Sequence, residues 1–464
     1  MDFAYRNKNF VPIYSLVDRF KTIVNPGVLL LIVAAITMVI ANSPLNSWYQ
    51  SLWTYDFFIG FGDFNLLSHH GKSLTSLEIV NDGLMTIFFF MVGLEVKREV
   101  LVGQLSSFRQ AILPIIASIG GMLMPVLVFT LVGKYHNLSP EELRGAAIPM
   151  ATDIAFSLGV LSLLGKRVPL SLKIFLLTSA IADDIGGILV IAVVYSHLTT
   201  QSLIMLGISL VLFGLLYLGN RLRINNQLYY FFLGLAIWYL FLQAGIHPTI
   251  SGVLVAFTIP ARPYIDLKKY TDSMQRDLDV IKTTIREGDS KEDRMLSGLQ
   301  VKYLSRIEAA SDRAISPLQD IEDTLGDLVN YIIMPLFAFA NAGVIFNLSD
   351  INLLEGVSSS IFFGLLIGKF LGIFSFTFLA IKLRISKMPD GMNWANLSGL
   401  AMLCGIGFTV SLFMAGLSYE LGSDMLNDAK LGIIFGSVAS GIVGYFILKM
   451  TLKKAPHEPE AEQE

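Results

Sequence analysis

The sequence predicts an all-α polytopic membrane protein with about twelve transmembrane helices. Three observations carry that prediction. Of 464 residues, 53% are hydrophobic and only 15% are charged, where a soluble domain carries about 25% charge. The mean hydropathy is +0.62. The apolar residues are gathered into runs close to the ~20 residues a helix needs to cross a bilayer core, and a helix satisfies its own backbone polar groups in lipid.

In chain order the runs lie at 26–42, 79–96, 110–132, 145–164, 170–196, 202–219, 228–244, 246–260, 328–346, 358–380, 395–418 and 429–449. The basic residues test the count. Lys97, Arg98 and Arg109 follow the second run, Lys166, Arg167 and Lys173 the fourth, and Arg221 and Arg223 the sixth. Lys382, Arg384 and Lys387 follow the tenth, and Lys449, Lys453 and Lys454 the last. The alternate connections are poor in base, and the last two carry only acids: Asp350 and Glu355, then Glu420, Asp424 and Asp428. Lys and Arg collect on the cytoplasmic side. The alternation therefore places both termini there, and an error of one span breaks it.

Five regions result: a cytoplasmic segment 1–25, spans 1–8 over 26–261, a charged insertion 262–320, spans 9–12 over 321–450, and an acidic, disordered tail 451–464. The outer loop 43–78 contains an aromatic stretch from Trp53 to Phe64 that reads as a short hairpin around Gly60–Gly62. In the insertion, Met274, Leu278, Ile281 and Ile285 recur at helical spacing, as do Leu296, Leu299, Tyr303 and Ile307, with Gly288-Asp-Ser between the runs. This is a cytoplasmic pair of helices, either a solvated add-on or a partner-binding arm.

Several classes are excluded. A net charge of −3 offers nothing to nucleic acid. The single cysteine, Cys404, permits neither a disulfide framework nor a cysteine metal site. The first apolar run follows a long polar segment, so it reads as a retained helix rather than a cleaved signal. No Gly-Lys-Ser/Thr phosphate cradle supports an ATP-driven pump.

The informative residues are charges inside the runs. Asp153, Asp183, Asp184 and Lys369 fall near the middle of the fourth, fifth and tenth runs, at about one depth. Each costs roughly 2.5–3.5 kcal/mol at a helix centre, so they are expected to share a partly watered cavity and pair there. Adjacent helical positions diverge by about 100°. One of Asp183 and Asp184 can therefore face Lys369 while the other faces the cavity, and Asp153 can add an oxygen from a second helix. Carboxylate oxygens hold hard cations and also carry protons, so one site can exchange the two. Against this stands a purely structural role in helix packing. Pro149, just before Asp153, and Gly405-Ile-Gly407 interrupt two runs, either as unwound segments lining a cavity or as close helix contacts. At the cytoplasmic edge Glu95, Arg98 and Glu99 meet Glu322 and Asp323, as a solvated rim or something more. Asp82 lines an outer path or caps a helix, and His247 packs at the interface or titrates near neutral pH.

On these residues the chain resembles the NhaA-type sodium/proton antiporters. The matching stretches are Val80-Asn-Asp-Gly-Leu-Met85, Val92-Gly-Leu-Glu-Val-Lys-Arg-Glu99, Ala151-Thr-Asp-Ile-Ala-Phe156, Ala182-Asp-Asp-Ile-Gly186, Pro335-Leu-Phe-Ala-Phe-Ala-Asn-Ala-Gly343, Leu366-Ile-Gly-Lys-Phe-Leu-Gly372 and Cys404-Gly-Ile-Gly-Phe-Thr409. They cover roughly 20–260 and 320–450. The resemblance implies an inverted-repeat antiporter fold in which the fourth and eleventh spans cross as broken helices, a known property of the family rather than a reading of these residues. It implies sodium and protons bound at Asp184, with Asp153 and Thr152 close by, and Asp183 paired with Lys369. It implies electrogenic export of Na+ and Li+ against entering protons across a bacterial inner membrane, with no cofactor beyond the transported ions. It implies a homodimer through the 43–78 loop and a pH-response region of Glu95, Arg98 and Glu322, with Glu99 and His247 grouped beside them. Three departures stand out: Asp323 and Gly326 where histidines are common, the long insertion, and Pro248 after His247. A passive channel would show rings of carboxylates, and an intramembrane aspartyl protease would place its acids on two helices with a Gly-x-Gly-Asp stretch. A sodium-coupled symporter would need a larger organic-substrate pocket.

Overall fold

The computed structural model describes residues 24–452 except 62–63, 66, 70–71, 196–199, 223, 225, 263–266, 285–295 and 346–354. The segment before Val24, the acidic tail from 453, the Gly288-Asp-Ser break and Gly62 lie outside the described residues.

The chain is a helical bundle: α1 (Pro26–Ala41), α2 (Asn46–Trp53), α3 (Ser76–Leu101), α4 (Phe108–Tyr135), a 3₁₀ segment Glu142–Met150, α5 (Ile154–Ser162), α6 (Leu170–Val194), α7 (Thr200–Arg221), α8 (Gln227–Ala244) and α9 (Pro248–Thr258). Then come α10 (Leu267–Thr284), α11 (Gly298–Ala314) and α12, which runs from Pro317–Leu328 through a π turn at Val329–Ile333 into Met334–Asn341. The last four are α13 (Gly356–Lys382), α14 (Trp394–Leu403), α15 (Phe408–Ser418) and α16 (Asp424–Thr451). Among the described residues, seven helices are long and apolar enough to cross a bilayer alone, and up to ten if each bent pair counts as one span.

Beyond the bent pairs, two of the twelve apolar runs differ from simple spans for a physical reason. With 11 residues, α9 rises only about 16 Å, half of the ~30 Å hydrocarbon core. The N-terminal half of α12 carries Asp320, Glu322, Asp323 and Asp327 before the apolar half begins, and starts from a Ser316 cap with Pro317 in its first turn.

Contact between helices relies on small residues. A side chain on Gly120 of α4 or Gly372 of α13 would collide with the other's carbonyl oxygen, so these two helices cross with their backbones touching. In the 43–78 loop, Gly60–Phe61 pairs antiparallel with Phe64–Asn65, and Ser68–His69 with Lys72–Ser73. Asn65 ties the two hairpins: its Nδ2 donates to the carbonyls of Phe57 and Leu67 and to Ser73 Oγ, at 2.9–3.2 Å. In the insertion α10 and α11 lie side by side, with buried Asp277 3.7 Å from Arg306. Its two roots meet: Leu318 N donates to Pro260 O at 3.1 Å.

Candidate functional site

The site is built where two helices stop and restart. The 3₁₀ segment and α5 are bent by 46° about residues 151–153, and α14 and α15 by 45° about residues 404–407. The two interruptions touch. Asp153 N donates to Ile406 O at 2.7 Å, the Thr152 hydroxyl lies 3.1 Å from Cys404 O, and Ser157 Oγ donates to Leu403 O at 3.1 Å. A Cβ on Gly407 would fall 2.8 Å from Ala151 O, so only glycine lets the crossing close.

Asp153 is the joint. It is the N-cap of α5, where its Oδ1 accepts from Phe156 N at 3.0 Å. Its Oδ2 accepts from Thr409 N at 3.1 Å and Thr409 Oγ1 at 2.6 Å. One carboxylate thus satisfies orphan donors at the starts of α5 and α15, where both helix dipoles favour negative charge. It has about four acceptor positions, so three are taken.

The adjacent acids of α6 diverge as the helical angle requires. Asp183 turns into the protein: its Oδ2 accepts from Lys369 Nζ at 2.6 Å and lies 2.7 Å from the Thr152 hydroxyl, and its Oδ1 accepts from Ser118 Oγ at 2.7 Å. Lys369 also donates to Thr152 Oγ1 at 2.9 Å and is fully buried. Asp184 turns the other way. Its Oδ1 is buried without a hydrogen-bond partner among the described residues. It faces a cavity of about 460 Å³ that is also lined by Asp153, Thr152, Thr409, Glu95, Asn330 and Lys173. Asp183 and Lys369 lie outside that lining.

Three helices widen into π turns beside polar residues: Ile79–Leu84 holds Asp82, Val329–Ile333 holds Asn330, and Gly364–Gly368 ends at Lys369. Such turns recur at functional sites.

The edge residues divide into two groups. Arg98 pairs with Glu322 at 2.8 Å and lies 3.4 Å from Glu99, whose Oε2 accepts from Gln104 N at 2.9 Å. Burial raises the Glu322 carboxyl above its usual range; Arg98 offsets this in part, and Asp323 and Glu99 add to it. Glu95, one turn away, reaches the cavity. Lys97 donates to Phe257 O and Ile259 O at the end of α9. His247 is not with this cluster. It caps the opposite end of α9, its Nδ1 4.0 Å from Asp82 Oδ1 and its ring 5.8 Å from that of Phe413. Neither Asp82 nor His247 lines the cavity.

Ser118 and Thr409 complete the polar cluster without having been singled out as site residues from the sequence. The only hint is depth: Ser118 is a hydroxyl mid-run between two prolines, Pro114 and Pro125, and Thr409 follows the Gly405-Ile-Gly407 break.

Comparison with known proteins places these residues in context. Residues 18–448 match the family described as Na+/H+ antiporter 1. A Na(+)/H(+) antiporter NhaA of Bacteroides fragilis is 51% identical over 442 residues, covering 95% of this chain and 98% of that protein. One of Porphyromonas gingivalis is 44% identical over 92% of this chain and 94% of its own length. One of Psychrobacter cryohalolentis is 41% identical over 92% of each chain.

Proposed function

The chain belongs to the Na+/H+ antiporter 1 family, and from that premise we propose that it exports sodium, and lithium, in exchange for entering protons by alternating access to Asp184. One observation carries this reading. Of two adjacent buried carboxylates, one has both oxygens bonded, by Lys369, Thr152 and Ser118, while the other keeps an oxygen with no hydrogen-bond partner among the described residues, against a cavity. Asp184 is the group at which a cation and protons compete. Thr152 and the remaining acceptor position of Asp153 stand beside it as further oxygen ligands for sodium, a hard cation like those that favour oxygen.

Lys369 compensates Asp183, and the pair opens during the cycle as the bound charge changes. The excess of protons over sodium makes the exchange electrogenic, so a membrane potential contributes about 2.3 kcal/mol per net charge per 100 mV. The twelve-run topology puts both termini, Lys173 and the Arg98–Glu322 pair in the cytoplasm of a bacterium, and the cavity opens on that side. Asp82 and His247 then border the outer path. Glu95, Arg98, Glu99 and Glu322 form the region where pH acts on the cavity mouth. The exposed Phe57, Phe58 and Ile59 beside the hairpins support a homodimer contact through the outer loop.

Everted membrane vesicles test the reading. Sodium is added to vesicles with an acidified lumen and the lumenal pH is followed, for the wild type and for Asp184→Asn. Sodium-dependent alkalinisation in the wild type and its loss in the variant are expected. Full activity in the variant removes Asp184 from the site, and no sodium response in the wild type at any pH removes the exchange itself.

A further inference from the structure

The structure assigns Ser118 a role in the exchange site: it is a positioning residue that holds Asp183 on Lys369 and, through that pair, sets the Thr152 oxygen at the cavity wall. The inference rests on the sodium-binding reading of that cavity. Ser118 is buried at 1% exposure in α4, and its hydroxyl is 2.7 Å from Asp183 Oδ1. It sits at the dry end of a chain of contacts. Ser118 binds Oδ1, Lys369 and Thr152 bind Oδ2, and Lys369 also holds Thr152 Oγ1 at 2.9 Å. Only the last member, Thr152, lines the cavity beside Asp184.

The surroundings fit a built contact. Gly120 and Gly121 bring α4 against Gly372 and Ile373 of α13, one turn from Lys369. The same close crossing that places the ammonium on Asp183 therefore places the Ser118 hydroxyl on the opposite oxygen. A serine in a helix commonly bonds its own i−4 carbonyl, as Ser209 does to Met205 O and Ser418 to Met414 O. Ser118 instead donates to a carboxylate on another helix. With both oxygens held, Asp183 cannot rotate without breaking a charge-assisted bond. Without Ser118 only one oxygen is fixed, and Asp183, Lys369 and Thr152 relax together.

The test compares wild type, Ser118→Ala and Ser118→Thr in proteoliposomes, measuring half-saturating sodium and maximal rate, with thermal unfolding of the purified protein with and without sodium. Expected in S118A is a half-saturating sodium raised about tenfold, the scale of a hydrogen bond to a charged group. The maximal rate should stay within about twofold, and the sodium-free unfolding midpoint should fall modestly in S118A and recover in S118T. The stabilisation by a fixed sodium concentration should shrink, and S118T should restore both sodium readouts. Unchanged half-saturation in S118A overturns the assignment, as does a fall in maximal rate alone, which would move the effect to the conformational step. A lowered sodium-free midpoint that S118T does not restore makes Ser118 a packing residue. A wild type with neither sodium-evoked exchange nor sodium stabilisation overturns the functional reading, whatever Ser118 does.

Discussion

Two ion pairs of similar length lie in opposite surroundings. Lys369 and Asp183 meet at 2.6 Å with the lysine fully buried, whereas Arg98 and Glu322 meet at 2.8 Å with the arginine side chain 33% exposed. The difference teaches that distance does not rank them. Water and salt reach the rim pair through its arginine although Glu322 itself is buried, so they screen it in part, and fully exposed pairs are worth only about 0–1 kcal/mol. The interior pair has no such relief, so losing one partner strands a charge at a cost of about 3–5 kcal/mol. The interior pair is also wired to two hydroxyls, Ser118 and Thr152, whereas the rim pair shares its arginine with a second carboxylate, Glu99.

The largest effect should come from breaking the interior pair. Lys369→Ala leaves Asp183 with hydroxyl donors alone, and its thermal unfolding in detergent should fall by the equivalent of about 3–5 kcal/mol. Asp183→Asn combined with Lys369→Met should recover most of that loss, because two neutral groups of similar size leave no charge stranded. A double variant as unstable as K369A would mean that the charges themselves hold the bundle. Next comes Thr409→Val, which removes the hydroxyl 2.6 Å from Asp153 Oδ2 but keeps the backbone donor. A loss of about 1–2 kcal/mol and a higher half-saturating sodium are expected. An unchanged sodium response would confine Asp153 to joining the broken helices.

The smallest effect belongs to the rim. Glu322→Gln should change stability by about 1 kcal/mol or less, and by less again in high salt. Its pH behaviour is the sharper readout. Arg98, Glu99 and Asp323 are the charges that act on Glu322. Lowering the pH protonates Glu322, which leaves a neutral side chain facing Arg98, much as glutamine does. Exchange measured across pH should therefore coincide for wild type and E322Q at the acidic end and separate as the pH rises. Curves that separate at the acidic end, or coincide throughout, would take Glu322 out of the pH response.

The same contrast in surroundings explains what the sequence disclosed. Asp153, Asp183, Asp184 and Lys369 stood out because a charge in an apolar run is costly and so implies a partner. Ser118 and Thr409 did not, because a hydroxyl in a helix is cheap; Ser209 looks the same in sequence and merely bonds its own helix. The 100° step predicted that Asp183 and Asp184 part. It could not say which faces Lys369, since that depends on how α6 is rotated against α4 and α13. The breaks near Pro149 and Gly405-Ile-Gly407 were legible from their residues, and the π turns were not, because an inserted residue leaves no compositional mark. The sequence groups His247 with the Arg98 cluster, yet His247 sits at the N-terminus of α9 beside Asp82, whereas Lys97, the neighbour of Arg98, meets the opposite end of that helix.

The hydrogen bond from Leu318 N to Pro260 O bears on chain entropy. The whole excursion through α10 and α11 leaves and re-enters the bundle at one point, so to the rest of the protein it is a closed loop. The entropy of closing a flexible loop grows only with the logarithm of its length, about 0.6 kcal/mol per doubling. Lengthening or shortening the excursion therefore leaves the bundle's free energy of folding almost untouched. What the bundle does depend on is the seam at the roots, where Lys97 grips the end of α9 and Arg98 grips Glu322. Variation in this lineage should accordingly accumulate in the length of the excursion and stop at the seam.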